Sequence, residues 1–230
     1  TGAGSGTSSV DVVDVNGDRV PDLVVGNQSG GDLGLFLGTG GGLFSAMTSV
    51  DVTSRPADVV SGDVTGDGLL DLVVAGNNNN VVEVLAGDGA GNFALPVTYP
   101  VDPLPQKVHL ADLNGDGRLD VLAGTTTHHM VSVLLNDGLG GFEAAERYYA
   151  KYRPYEIVTG DIDQDGFTDV VAGTYFNGVN GPSFAATLFG VGDGTLLAPD
   201  VYDIVANERV LMHGDFDEDA IPRSVEHSPS

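Results

Sequence analysis

The sequence predicts an all-β fold, a β-propeller of four-stranded antiparallel blades, with about four blades and part of a fifth. Three observations predict it. An acidic loop opens at Asp14, Asp63, Asp112 and Asp161, in successive steps of 49 residues. Each repeat carries four short apolar runs, rich in β-branched residues and bounded by turn formers, which fit strands better than helices. The 34 glycines of the chain fall largely between those runs, where turns are needed.

The elements follow in order. Thr1 to Ser9 is a Gly/Ser/Thr tract without periodicity, a linker or a frayed start. Repeats then occupy 10–219, as units of about 10–58, 59–107, 108–156 and 157–210 with a partial unit at 211–219. Residues 220–230 form an irregular tail. Each unit opens with a first strand: Val10 to Val13, Val59 to Gly62, Val108 to Ala111, Ile157 to Gly160. The acidic loop leads to a second strand, typified by Leu72-Val73-Val74-Ala75, and a polar turn leads to a third, typified by Val81 to Leu85. A glycine-rich turn ends at Phe44, Phe93, Phe142 or Leu196, and a weaker fourth strand follows. A proline precedes the next unit at Pro56, Pro105 and Pro154. Four strands with a period near 50 describe a propeller blade; the repeats of a β-solenoid are much shorter. One blade cannot cover both its faces, so stacked neighbours are required.

Bulk properties narrow the function. The net charge of −24 argues against nucleic acid and anionic membrane partners, which need basic surface. No stretch approaches the roughly 18 apolar residues of a membrane span, so membrane insertion is not expected. The chain has no cysteine, which excludes a disulfide framework and thiolate metal sites. It starts at Thr1 without an initiator Met or a signal peptide and reads as a mature or excised piece.

Asp112-Leu113-Asn114-Gly115-Asp116-Gly117-Arg118-Leu119-Asp120 shows the loop in full. Oxygen-bearing side chains stand at positions 1, 3, 5 and 9, and glycine at position 6. A hard cation such as Ca²⁺ takes six to eight oxygens, which a tight loop of alternating acids can aim at one centre. Asp, Asn and Gly are also ordinary turn formers, but four copies in register favour metal. An EF-hand would need a 12-residue loop ending in Glu between helices, and neither is present.

Pro105 to Gly117, with Val131 to Phe142, resembles the FG-GAP/VCBS repeats, the calcium-binding blades of integrin α-subunit propellers and of many secreted bacterial proteins. Phe189-Gly190-Val191-Gly192-Asp193-Gly194-Thr195-Leu196 is similar to the stretch that names the repeat. The resemblance covers about Val10 to Asp219. It implies about four Ca²⁺ ions, held by side chains at positions 1, 3, 5 and 9 together with the position-7 carbonyl and water. The sets are Asp14, Asn16, Asp18 and Asp22; Asp63, Thr65, Asp67 and Asp71; Asp112, Asn114, Asp116 and Asp120; and Asp161, Asp163, Asp165 and Asp169. The fourth set has four carboxylates and is expected to bind most tightly. A fifth site at Asp215, Asp217 and Asp219 is degenerate, because Ala220 replaces the loop glycine and Arg223 the ninth-position Asp. Family propellers usually close with about seven blades, so the chain is either a small propeller or an excerpt of a larger one.

The resemblance implies an extracellular or cell-surface module that binds a glycan or an extracellular protein and is not an enzyme. The rival is a non-catalytic propeller portion of a larger secreted enzyme, such as a polysaccharide-degrading one. No G-x-S-x-G, phosphate loop or H-E-x-x-H is present. Glu146 to Tyr155 holds four of the seven tyrosines and three of the nine Lys and Arg residues. Tyr152, Arg153 and Tyr155, placed in the blade-connecting loop, are the candidate ligand-binding residues, because tyrosine offers a flat face and a hydroxyl. Asn78, Asn79, His128 and His129, in turns on the same face, would form a hydrogen-bonding rim. Packing of the tyrosines between blades is the alternative.

Overall fold

The computed structural model describes residues 6–175 and 183–204, and the short strands His213–Gly214 and Arg223–Ser224. Asp215, Asp217, Asp219 and Ala220 lie outside the described residues. Four four-stranded antiparallel sheets follow one another along the chain, each in simple sequence order. The first blade comprises Thr7–Val13, Asp22–Asn27, Asp32–Phe36 and Thr48–Asp51. The second comprises Pro56–Gly62, Asp71–Gly76, Val81–Leu85 and Val97–Pro100. The third comprises Pro105–Ala111, Asp120–Thr125, Met130–Leu134 and Glu146–Tyr149. The fourth comprises Arg153–Gly160, Asp169–Tyr175, Ser183–Leu188 and Asp200–Ile204.

First strands begin earlier than the apolar pattern predicts. Pro56, Pro105 and Pro154 sit at or next to a strand start, where a missing N–H disturbs the ladder least. Just after them the register slips by a bulge in every blade, for example between Pro105 and Lys107 and between Pro154 and Glu156. The apolar alternation begins only after the bulge, so the pattern alone misses the first turn of pairing.

Stacking explains the continuous apolar second strands. Every residue from Asp71 to Gly76 is buried. Leu72 and Val74 face the first blade, where they pack with Val24, Leu33 and Leu35. Val73 and Ala75 face the third, with Val108, Val121 and Ala123. A further layer joins Leu122, Val131 and Val133 to Ile157, Val170 and Leu188 of the fourth blade. Alternation persists, but both faces are covered, so polar positions vanish from the strand.

First strands of successive blades run side by side. Ser61 Oγ donates to Asp11 Oδ2 at 2.5 Å, and Val108 N–H donates to Asp58 Oδ2 at 3.2 Å. His109 Nε2 lies 3.1 Å from Thr159 Oγ1. Lys107 Nζ bridges Asp58 at 3.4 Å and Glu156 at 3.2 Å, joining three blades in one line. Burial alone would lower the pKa of Lys107, but the two carboxylates outweigh it and raise it. Burial pushes the Asp58 carboxyl up against the pull of Lys107. The described sheets do not close into a ring. The free face of the first blade leaves Val10 and Val12 about 60% exposed, at 59% and 61%.

Candidate functional site

The acidic loops join the first and second strands of each blade and therefore all lie at one end of the stack. Each is folded on its own carboxylates. Asp14 accepts from the N–H groups of Asp18 (3.1 Å) and Arg19 (2.7 Å). Asp63 accepts from Gly66 and Gly68, Asp112 from Gly115, Asp116 and Gly117, and Asp161 from Asp165 and Gly166. Asp18, Asp67, Asp116 and Asp165 each accept from the N–H two residues on, closing Asx turns. In the third loop, Arg118 Nη2 also pairs with Asp116 Oδ2.

The ninth-position carboxylates differ from the rest. Asp22, Asp71, Asp120 and Asp169 are fully buried. One oxygen of each accepts from the second loop residue: Val15 (2.9 Å), Val64 (3.0 Å), Leu113 (2.9 Å) and Ile162 (2.7 Å). The other accepts from the residue just past the third strand: Gly38, Gly87, Asn136 and Gly190, at 2.7 to 3.0 Å. The residue thus ties the loop to the far hairpin. Burial raises the pKa of Asp120. Where the tie of the second blade meets the hairpin, space is short. A Cβ on Gly87 would lie 2.0 Å from the Leu70 carbonyl, so glycine is required there.

Two positions per loop take positive φ. Position 6 does so at Arg19 (67°), Gly68 (84°), Gly117 (83°) and Gly166 (91°), and position 4 at Gly17 (73°), Gly66 (77°), Gly115 (73°) and Gln164 (65°). Arg19 and Gln164 are the two non-glycine residues among these eight. The positive-φ conformation costs a side-chain-bearing residue about 1–2 kcal/mol, and the greater chain entropy of glycine offsets part of that. Gln164→Gly and Arg19→Gly are therefore each expected to raise stability by roughly 0.5–1 kcal/mol. Thermal melts check this, and a lower melting temperature in both variants would refute it.

Oxygens of Asp161, Asp163 and Asp169 lie within 4.8 Å of one another. Three hard carboxylate donors at that separation suit a Ca²⁺-type cation. Among the described residues no other loop brings three acidic side chains as close. Slight desolvation and the charges of Asp165, Asp169 and Asp161 raise the pKa of Asp163. Asn16 and Asn114 use their side-chain oxygens to accept from the Asp18 and Asp116 N–H groups, and the buried Thr65 hydroxyl has no partner among the described residues.

At the opposite end, turns between second and third strands meet the links between blades. Asn78 Oδ1 accepts from Arg55 N–H at 2.5 Å, and Asn79 Nδ2 donates to the Thr53 carbonyl at 2.8 Å. His128 Nδ1 lies 3.1 Å from Asp102 Oδ1, and Arg147 Nε 2.8 Å from Asp102 Oδ2. Asn78, Asn79 and His128 therefore stitch turn to link. Sequence reasoning missed two anchors here, Asp102 and the fully buried Glu83, which receives Thr53 N–H at 2.8 Å and the Ser54 hydroxyl. A lone Glu inside an apolar strand run was the available signal.

Arg153 and Tyr155 stand on the first strand of the fourth blade, not in the connecting loop. The proline between them hid the strand start. Tyr152 stays in the link and stacks on Phe184, with ring centroids 4.5 Å apart and planes 16° from parallel. Tyr155 falls at the bulge and is 40% exposed. His129 takes a positive φ of 59°. His129 Nδ1 and Arg153 Nε are both buried without a hydrogen-bond partner among the described residues.

The sequence profile of the FG-GAP-like repeat matches residues 14–74, 63–123 and 112–172, more than half of the chain. No curated protein matches the chain in sequence. In structure it is similar to a lectin of Agrocybe aegerita, described by its specific recognition of non-reducing terminal N-acetylglucosamine, at TM-score 0.54 and 20% identity. It is similar to BBS1N, solved in complex with ARL6DN, at TM-score 0.62 and 13% identity. It is also similar to the V. cholerae biofilm matrix protein Bap1, at TM-score 0.51 and 20% identity. The alignments cover 83%, 90% and 95% of this chain but only 51%, 60% and 34% of those chains. At these identities the likeness establishes the propeller fold alone. No described helix is long and apolar enough to cross a membrane. The three profile matches, in register with the acidic loops, place the chain in the FG-GAP-like repeat family.

Proposed function

We propose that the chain is a calcium-stabilised, non-catalytic binding or adhesion module of the cell exterior, taking a glycan or an extracellular protein on the face opposite its acidic loops. The observation that carries the binding role is Arg153. In a chain with 33 acidic residues, a cationic side chain with a buried nitrogen stands unpaired among the described residues, two positions from an exposed tyrosine. A stability role alone does not need such a residue. The lectin and the biofilm matrix protein among the structural relatives support a glycan or matrix setting, and the BBS1N complex supports a protein partner.

For calcium, the support is the donor set of the fourth loop, Asp161, Asp163 and Asp169. The first three loops would use Asp14, Asn16 and Asp18, Asp63, Thr65 and Asp67, and Asp112, Asn114 and Asp116, with the tied ninth-position carboxylates completing each set. A carboxylate oxygen has lone pairs for both a backbone N–H and a cation. The ions would be structural, fixing the loops that hold first and second strands together.

A glycan array probed with the whole chain in calcium tests the module, alongside capture of extracellular proteins. Binding to a restricted set of ligands, lost in Tyr155→Ala with Arg153→Ala at unchanged melting temperature, is the expected result. A chain that binds neither glycan nor protein would sink the proposal.

A further inference from the structure

Two successive junctions between blades are closed in different ways. At the first, the fully buried Glu83 of the third strand accepts from Thr53 N–H and the Ser54 hydroxyl, and Asn79 donates to the Thr53 carbonyl. At the second, 49 residues on, Ser132 takes the place of Glu83 and Asp102 the place of Thr53. Ser132 Oγ accepts from Asp102 N–H at 3.5 Å, and the carboxylate has moved from the strand to the link. Asp102 is buried, yet the groups it holds stand at the surface. His128 Nδ1 lies 3.1 Å from one of its oxygens and Arg147 Nε 2.8 Å from the other, on side chains that are 54% and 57% exposed. Closing the junction does not require such groups, since Asn79 and Thr98 occupy their places in the blade before.

Asp102 fixes what each group has left to offer. An ionised carboxylate only accepts, so the neutral His128 ring carries its proton on Nδ1 and keeps Nε2 as an acceptor. Arg147 is held by charge. No guanidinium N–H is aligned on Asp102 Oδ2, which has no hydrogen-bond partner among the described residues, so the guanidinium keeps its donors. An acceptor and a fork of donors, set on the two oxygens of one carboxylate, match two neighbouring hydroxyls of a pyranose, since a hydroxyl both donates and accepts. Tyr149 supplies a flat face beside them. It lies two residues past Arg147 on the same face of its strand, away from Tyr148, which packs into the core shared with the fourth blade. Tyr149 pairs across the ladder with Met130, and Ala150 N–H donates to the His129 carbonyl, so the His128 turn and Tyr149 share one corner. The Tyr149 hydroxyl donates to the Lys151 carbonyl at 3.2 Å, which fixes the tip of a residue that is 51% exposed. Asp102 balances the charge of Arg147, and the chain carries −24, so the corner favours a neutral ligand over an anion.

We propose that His128, Arg147 and Tyr149, the first two held by Asp102, form a subsite for a neutral pyranose at the junction of the second and third blades. The subsite rests on the binding-module function above for its ligand class, but shares no residue with Arg153 and Tyr155. The whole chain, loaded with calcium, is titrated with methyl glucoside, methyl galactoside, methyl mannoside and methyl glucuronide. Saturation transfer to the ligand and the ¹⁵N signals of the His128 ring are followed by NMR. At least one neutral glycoside is expected to bind more tightly than the glucuronide and to shift the Nε2 signal of a ring protonated on Nδ1. Arg147→Gln should weaken that binding at least about tenfold, the least that one charge-assisted hydrogen bond is worth. Tyr149→Ala should weaken it at unchanged melting temperature, and Tyr155→Ala with Arg153→Ala should leave it intact.

Binding that survives in both Arg147→Gln and Tyr149→Ala, or that is lost only in Tyr155→Ala with Arg153→Ala, would overturn this subsite while leaving the binding module intact. Tighter binding of the glucuronide than of every neutral glycoside would overturn the neutral assignment. A chain that captures an extracellular protein but binds none of the neutral glycosides would overturn the subsite alone. A chain that binds no glycan and no extracellular protein would overturn both the subsite and the module.

Discussion

Excess chelator is expected to lower the melting temperature of this chain by roughly 12–24 °C. Extracellular calcium modules bind with Kd of roughly 10⁻⁴–10⁻³ M. At ten times Kd each site adds about 1.4 kcal/mol, so four sites add roughly 6. For a chain of this size about 1 kcal/mol moves the midpoint by about 2–4 °C, which gives the range. The first four loops hold thirteen aspartates at ligand positions, and around Asp163 the neighbouring carboxylates already act to raise its pKa. A divalent cation removes that repulsion. The chain should nevertheless remain folded without metal, because backbone N–H groups hold each loop and a net stability in the middle of the usual range of roughly 5–15 kcal/mol exceeds the loss. Magnesium should restore the midpoint poorly, since it demands a smaller and more rigid octahedron. Calorimetric melts in calcium, magnesium and chelator decide this. Superimposed curves in calcium and in chelator would reduce the loops to ordinary turns.

Periodicity made the fold legible, because a repeat of 49 residues fixes the blade and its strand order together. What it could not show is the work done by single positions. Aspartate at position 9 looks the same in sequence whether it faces a cation or a backbone, yet Asp22, Asp71, Asp120 and Asp169 each span two segments in the interior. The positive φ at position 4 was visible in principle, since Gly17, Gly66 and Gly115 recur there, but Gln164 breaks the pattern in the fourth loop. Arg153 and Tyr155 look like loop residues in sequence because strand pairing begins before the bulge, where the alternation is not yet established. For Asn78, Asn79 and His128, side chains that look like a ligand rim are engaged by Arg55, Thr53 and Asp102, contacts between segments some 25 residues apart that local reading cannot supply.

Asp71→Ala should cost roughly 3–6 kcal/mol, more than the loss of any single calcium ion, and should do so with or without metal. Asp71 accepts three backbone donors: Val64 N–H at 3.0 Å, Thr65 N–H at 2.9 Å and Gly87 N–H at 3.0 Å. The carboxylate is fully buried, so alanine admits no water to replace it. Each buried donor left unpaired costs about 1–3 kcal/mol. Asp67, four residues earlier in the same loop, is the internal control. It is exposed and, among the described residues, accepts from Leu69 N–H alone, so its loss should matter mainly through the metal. In calcium both variants are expected to melt early, Asp71→Ala more so. In excess chelator the Asp67→Ala deficit should shrink below about 1 kcal/mol, because an exposed hydrogen bond contributes little net stability. The Asp71→Ala deficit should remain, because the tie between the loop and the hairpin after the third strand is made by protein groups only. Denaturant titrations of the two variants under both conditions separate the roles. If Asp71→Ala lost its deficit in chelator as Asp67→Ala does, the ninth-position aspartate would be a ligand and nothing more.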